Sequence, residues 1–161
     1  MSIYSQSEED YLETLYIIQL ESKIARVKDV AEALDVKMPS VVAAIRSLSE
    51  KGLVEQEKYG HIELTEKGVS IGKDVYQRHK LLYAFFREVL GLDADTAEED
   101  ACRIEHHLSP ITRERLLRIV EYTRACNDDE VHFVKRFMHF VNTGEMPAPC
   151  PGCKNIKKQK V

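Results

Sequence analysis

Between residues 27 and 64 the hydrophobic period of the chain switches from helical to alternating, and this constrains the fold more than any other feature. VKDVAEAL (27–34) sets Val27, Val30, Ala31 and Leu34 at helical spacing. DVKMPS reads as a turn, with Pro39 suited to a first helical turn, where its missing N–H costs nothing. Residues 39–51 repeat the stripe with Val41, Val42, Ile45 and Leu48 inward, and Gly52 ends it. LVEQEKYGHIELT then alternates at period two about Tyr59-Gly60, as a small hairpin does. Upstream, residues 7–21 predict a helix capped by Ser7, with Asp10 as near capping-box partner and Tyr11, Leu12, Leu15, Tyr16 and Ile18 as its apolar stripe. Helix, helix, turn, helix, hairpin is the order of a winged helix-turn-helix.

Only helical patterns follow. Thr65 caps one that runs to about Leu90, where Gly91 breaks it. Others are expected at 96–108, 111–124 and 130–142, before the Pro/Gly-rich NTGEMPAPCPGC and a basic tail. The expected fold class is mainly α. A winged helix-turn-helix DNA-binding domain is expected over 1–72, a second, all-helical domain over 73–145, and a basic Cys-containing tail over 146–161. No apolar run approaches the roughly 18 residues of a membrane span. The acidic N-terminus is not that of a signal peptide, so a cytoplasmic protein is expected, with reduced thiols or thiolate ligands rather than disulfides.

A net charge of −4 argues at first against nucleic acid, but its distribution does not. Residues 22–80 carry 11 Lys/Arg against 9 Asp/Glu, between an acidic start and an acidic helical region. Residues 37–51 present a small, polar or cationic outer face of Lys37, Pro39, Ser40, Ala43, Ala44, Arg46, Ser47 and Lys51, with one acid, Glu50. Small residues let a helix sit deep in the major groove, Arg46 can reach a base or phosphate, and the lysines suit phosphates. Arg26, with Lys58 and Tyr59 at the wing tip, completes the expected DNA surface.

EEDACRIEHHL (98–108) holds a second signal. Glu98, Cys102, Glu105 and His106 fall at i, i+4, i+7 and i+8, one face of a continuous helix. They form either a mixed S/O/N site for a first-row transition metal or a solvated acidic face with a core cysteine. Asp10 and Glu13 share a face of the first helix, and His79 follows in RHK. Cys150 and Cys153 have knuckle spacing but no second pair, and read as tail thiols; His132 and His139 read as surface residues.

Taken together, SEEDYLETLY (7–16), RVKDVAEALDVKMPSVV (26–42), GLVEQEKYGHIELTEKG (52–68), RHKLL (78–82) and CRIEHHLS (102–109) resemble the diphtheria toxin repressor family of iron- and manganese-dependent repressors, over roughly residues 5–125. The resemblance implies a metal-dependent repressor of metal-uptake genes, in the two-domain form lacking the SH3-like third domain, with 73–145 as a helical dimerisation and metal-binding domain. It implies a main site of Asp10, Cys102, Glu105 and His106, and a second drawing on Glu13 and His79 with Glu98 at an ancillary position. Asp10 departs from the iron branch, which has Met there, and Cys102 from the manganese branch, which has Glu; Tyr83 stands where the iron branch has an ancillary Glu.

The expected cofactor is Fe2+ or Mn2+, one or two per subunit, with other divalent transition metals binding in vitro. Cys102 favours Fe2+, since Mn2+ prefers oxygen and nitrogen. The expected partners are palindromic double-stranded operator DNA and a second copy of the chain. The dimer contact would use Leu81, Leu82, Phe85, Phe86, Val89, Leu90 and Leu92 with the 98–108 helix. No membrane or small-molecule substrate is expected. Nor is an enzyme: there is no P-loop, GxGxxG or GxSxG, and Glu105 and His106 adjoin rather than forming Glu-x-x-His. The alternative is a winged-helix regulator that responds to an organic ligand or acts through protein partners.

Overall fold

The computed structural model describes residues 4–21, 24–56, 61–125 and 133–147. The chain divides into two compact units, one of Met1–Lys80 with Cys102–Ser109, the other of Leu81–Ala101 with everything from Pro110 onward.

In the first unit α1 runs Gln6–Leu20. Its cap is Ser5 rather than Ser7: Glu8 N–H donates to Ser5 Oγ (3.3 Å) and Ser5 N–H to Glu8 Oε2 (3.1 Å). Ser5 with Glu8 has the full S-x-x-E spacing, which Ser7 with Asp10 only approximates. α2 (Val27–Ala33) and α3 (Met38–Glu50) follow, with Pro39 in the first turn of α3 and Gly52 just beyond it at φ 68°. The hairpin is β2 (Val54–Gln56) and β3 (His61–Leu64). A third strand that the sequence pattern does not reveal, β1 (Ala25–Arg26), pairs with β3, giving the antiparallel order β1-β3-β2. Two residues are too few for a period-two signal. Leu12 and Leu15 of α1, Val30 of α2, Val41, Ile45 and Leu48 of α3 and Ile62 of β3 form one buried core.

The register of α3 differs from the expected one at two positions. Val42 is 54% exposed, and Ala44 packs against the core. The buried face is 41, 45 and 48, so a residue one step from 41 turns about 100° outward while 44 stays at the stripe's edge.

Thr65 caps α4 (Glu66–Ala84), accepting from Gly68 N–H at 3.1 Å. The helical pattern does not continue as one α-helix to Leu90: Phe85–Val89 is a π-helical turn, and Gly91 follows at φ 71°. α5 begins at Ala94, capped by Asp93, and ends at Ile104 rather than 108, with Glu105, His106 and His107 forming a turn. α6 spans Pro110–Ala125 and α7 Phe133–Thr143.

Within the second unit Leu82, Phe86, Val89, Ala97, Ala101 and Val120 are buried, so part of the stretch expected at a dimer contact is core. Glu88 and Arg124 form a bidentate pair at 2.6 and 2.7 Å. Among the described residues no helix is long and apolar enough to cross a membrane. Lys58 and Tyr59, Cys126, His132, Cys150 and Cys153 lie outside the described residues.

Candidate metal centre and nucleic-acid interface

Three segments of the first unit build a buried polar site. α1 supplies Glu9, Asp10 and Glu13, α4 supplies Arg78 and His79, and the turn after α5 supplies Glu105 and His106. Helices α1 and α4 approach at Gly72, where a Cβ would lie 2.4 Å from the Leu12 carbonyl oxygen. Glycine there allows backbone contact, and two turns later α4 delivers Arg78 and His79 to the acidic face of α1.

Two groups of donor atoms result, each with its atoms within 4.8 Å of one another: Asp10, Glu105 and His106, and Glu13, His79 and Glu105. Glu105 belongs to both. Its Oε1 lies 3.2 Å from His106 Nε2, and its Oε2 accepts from His79 Nδ1 at 3.0 Å. His106 Nε2 is also 2.8 Å from Asp10 Oδ1, and its Nδ1 donates to Glu9 Oε2 at 2.7 Å. Although these groups are close, Glu105 Oε1 and His106 Nε2 are buried without an aligned hydrogen bond. Their mutual attraction is charge, not hydrogen-bond geometry.

The electrostatics follow from the crowding. Desolvation pulls the His106 imidazole down, but Asp10, Glu105 and Glu9 outweigh it and push it up to about 10. Burial raises Glu105, yet the adjoining His106 imidazole and the hydrogen-bonded His79 hold it below the ordinary carboxyl range. Glu13 is raised to about 7 by burial and the neighbouring Glu105 charge, against the pull of His79 and His106.

These residues fit a divalent ion. Ligand atoms about 2.1 Å from one octahedral ion lie roughly 3 Å apart, the spacing of His106 Nε2 from its two carboxylate neighbours. The two unaligned buried atoms are one nitrogen and one carboxylate oxygen, donors suited to first-row ions.

Five of the seven expected ligands are therefore brought together: Asp10, Glu13, His79, Glu105 and His106. Cys102 and Glu98 are exposed on α5 and belong to neither group. The single-face argument for 98, 102, 105 and 106 required a helix continuing to 108, and α5 stops at Ile104. Sequence reasoning also missed Glu9 and Arg78, both buried at this site. Glu9 sat in an acidic run that reads as surface, although it is one turn before Leu12 on the buried stripe; Arg78 read as part of a basic cluster.

The opposite signature, an open cationic and apolar face, lies on α3. Lys37, Met38, Pro39, Ser40, Val42, Ala43, Arg46 and Lys51 are exposed, and Ser47 is half-buried. Arg46 pairs with Glu50 at 3.2 Å on the surface, and Lys51 pairs with Glu8. Arg26 is exposed at the start of α2.

A winged helix-turn-helix whose first helix supplies carboxylates to two carboxylate–imidazole groups defines a metal-responsive DNA-binding regulator. The chain belongs to the iron-dependent repressor family: the model of its N-terminal DNA-binding domain matches residues 4–62, and that of its metal-binding and dimerisation domain matches residues 65–133. These are transcriptional regulators, not enzymes. The chain is 40% identical over 118 residues to an uncharacterised HTH-type transcriptional regulator of Methanocaldococcus jannaschii, covering 73% of this chain and 94% of that one. It is 40% identical over 116 residues to the HTH-type transcriptional regulator MntR of Bacillus subtilis, covering 72% and 81%. The solved structure of the manganese regulator SloR is similar with a TM-score of 0.65 and 30% identity, over 74% of this chain and 55% of that one. The chain thus spans about half the length of that solved relative.

Proposed function

We propose that this repressor is a cytoplasmic homodimer that binds a palindromic operator at metal-uptake genes when Mn2+ is bound. The observation that carries this reading is Glu105, buried and shared by two donor groups. Asp10, Glu105 and His106 would hold one ion, and Glu13, His79 and Glu105 a second. A bound ion supplies the positive charge and ligand valence that fix these acids in one arrangement. Asp10 and Glu13 stand on α1, whose other face packs Leu12 and Leu15 into the core with Val41 and Ile45 of α3. Bracing α1 therefore braces α3, and in a dimer the two α3 helices would address half-sites about one DNA turn apart. By linkage, DNA tightens metal binding by the same factor that metal tightens DNA binding.

Both groups offer only oxygen and nitrogen, which supports Mn2+ as activator. Fe2+ is the second reading, favoured by the exposed Cys102 thiol at the end of α5. The test is an anaerobic, salt-dependent gel shift on a duplex selected from random sequence, with Mn2+, Fe2+ or chelator. Specific retention with metal and its loss with chelator are expected. Retention unchanged by chelator overturns the metal-gated reading and leaves the organic-ligand regulator in its place.

A further inference from the structure

The site holds a second layer that no ligand role accounts for. Glu9 is 2% exposed, and its two oxygens are divided: Oε2 accepts from His106 Nδ1 at 2.7 Å, and Oε1 faces Arg78 Nη2 at 3.3 Å. The same guanidinium donates through Nη1 to the Glu105 carbonyl oxygen at 3.0 Å, and through Nε meets Asp74 at 3.3 Å. One buried arginine thus reaches the backbone of Glu105 directly and the ring of His106 through Glu9.

We propose that Glu9 and Arg78 are positioning residues for metal binding, a carboxylate–guanidinium clamp that fixes both Glu105 and His106 before an ion arrives. This rests on the metal reading above. The reasoning is geometric. A carboxylate only accepts, so Glu9 keeps a proton on His106 Nδ1 and leaves Nε2 as the ligating atom. Nε2 is the ring nitrogen that faces Asp10 Oδ1 and Glu105 Oε1. Without Glu9 the imidazole can rotate or change tautomer, and the ordering cost returns at each binding event. Arg78 holds Glu9 against the negative field of Asp10 and Glu105, and its hydrogen bond fixes the turn that begins at Glu105. Partners of this kind behind a ligating histidine are worth about 10–100-fold in metal affinity.

The experiment measures Mn2+ binding to the full chain by titration calorimetry, and the His106 ring nitrogens by 15N NMR of the Zn2+-loaded protein. The proteins are the parent, His106→Ala, Glu9→Ala, Glu9→Gln and Arg78→Lys, each checked for a parent-like circular dichroism spectrum. Glu9→Ala should bind Mn2+ about 10–100-fold more weakly and lose the strongly hydrogen-bonded Nδ1 proton signal. Glu9→Gln, whose amide oxygen still accepts from Nδ1, should recover most of the affinity and the signal. Arg78→Lys should lie between them. Parent-like affinity and an unchanged ring spectrum in Glu9→Ala overturn the inference while the site stands. If Glu9→Ala fails to fold, a folded Glu9→Gln that binds Mn2+ as weakly as His106→Ala overturns it, because a merely negative group would then be what matters. A parent that binds no Mn2+ under conditions where His106→Ala behaves identically overturns the site itself.

Discussion

The hydrogen-bonded carboxylates around His106 do for a proton what the site would do for an ion. An imidazolium pushed up to about 10, with a Glu13 carboxyl raised to about 7, means that protons compete for the ligands across the neutral range. Apparent Mn2+ affinity should therefore climb steadily from pH 6 to pH 8, with protons released on binding, as read by calorimetry in buffers of different ionisation enthalpy; a flat profile counts against His106 as a ligand. The metal-free protein follows the opposite trend. His106 has a folded pKa above its unfolded value, so its stabilisation is complete below about 6.5 and is lost as pH rises toward about 10. Glu13, also raised, acts with the same sign between about 4.5 and about 7. At this scale the exposed thiol also becomes testable. Cys102→Ser should leave Mn2+ affinity within about twofold, since a lost ligand would cost far more than the 1.4 kcal/mol of a tenfold change. A loss above tenfold would show that the thiol enters the site when an ion binds.

At the scale of elements, α1, α3 and α4 each serve two masters. α3 buries Val41, Ile45 and Leu48 and leaves Arg46 outside, 83% exposed at its side chain. Arg46→Ala should weaken operator binding by about 1–3 kcal/mol with Mn2+ affinity of the free protein unchanged; a matching loss of metal affinity would contradict the division of labour between the faces. Gly72→Ala should destabilise the protein by about 1–3 kcal/mol, because the added methyl cannot coexist with the Leu12 carbonyl and α4 must move away from α1. Urea melts measure that cost, and parent-like stability would mean the helices are not held together there. Much of this was legible in the sequence: periodicity located the helices, Pro39 and Gly52 bounded α3, and Asp10 with Glu13 marked one face of α1. What escaped depends on where chains stop or meet. α5 ends at Ile104, so spacing alone wrongly aligned Glu98 and Cys102 with Glu105. β1 exists only because β3 lies beside it, and Glu9 is buried only because Arg78 and His106 arrive from distant segments.

Over the whole molecule, the second unit leaves apolar surface uncovered. α7 has no buried residue, and Phe133, Phe137, Phe140 and Val141 recur on one face at helical spacing, with the first two rings stacked at 6.2 Å between centroids. In the proposed dimer two α3 helices would give the operator its symmetry, and the shared Glu105 would give the dependence on metal. Both meet in one measurement: fluorescence anisotropy of a selected operator duplex titrated with the parent, Glu105→Ala and His106→Ala, each with Mn2+ and with chelator. The account predicts tight binding by the parent with Mn2+ alone, and weak, salt-sensitive, metal-independent binding by both variants, which stay folded and dimeric. Variants that bind the operator as tightly as the parent with Mn2+, or a parent indifferent to chelator, would contradict it.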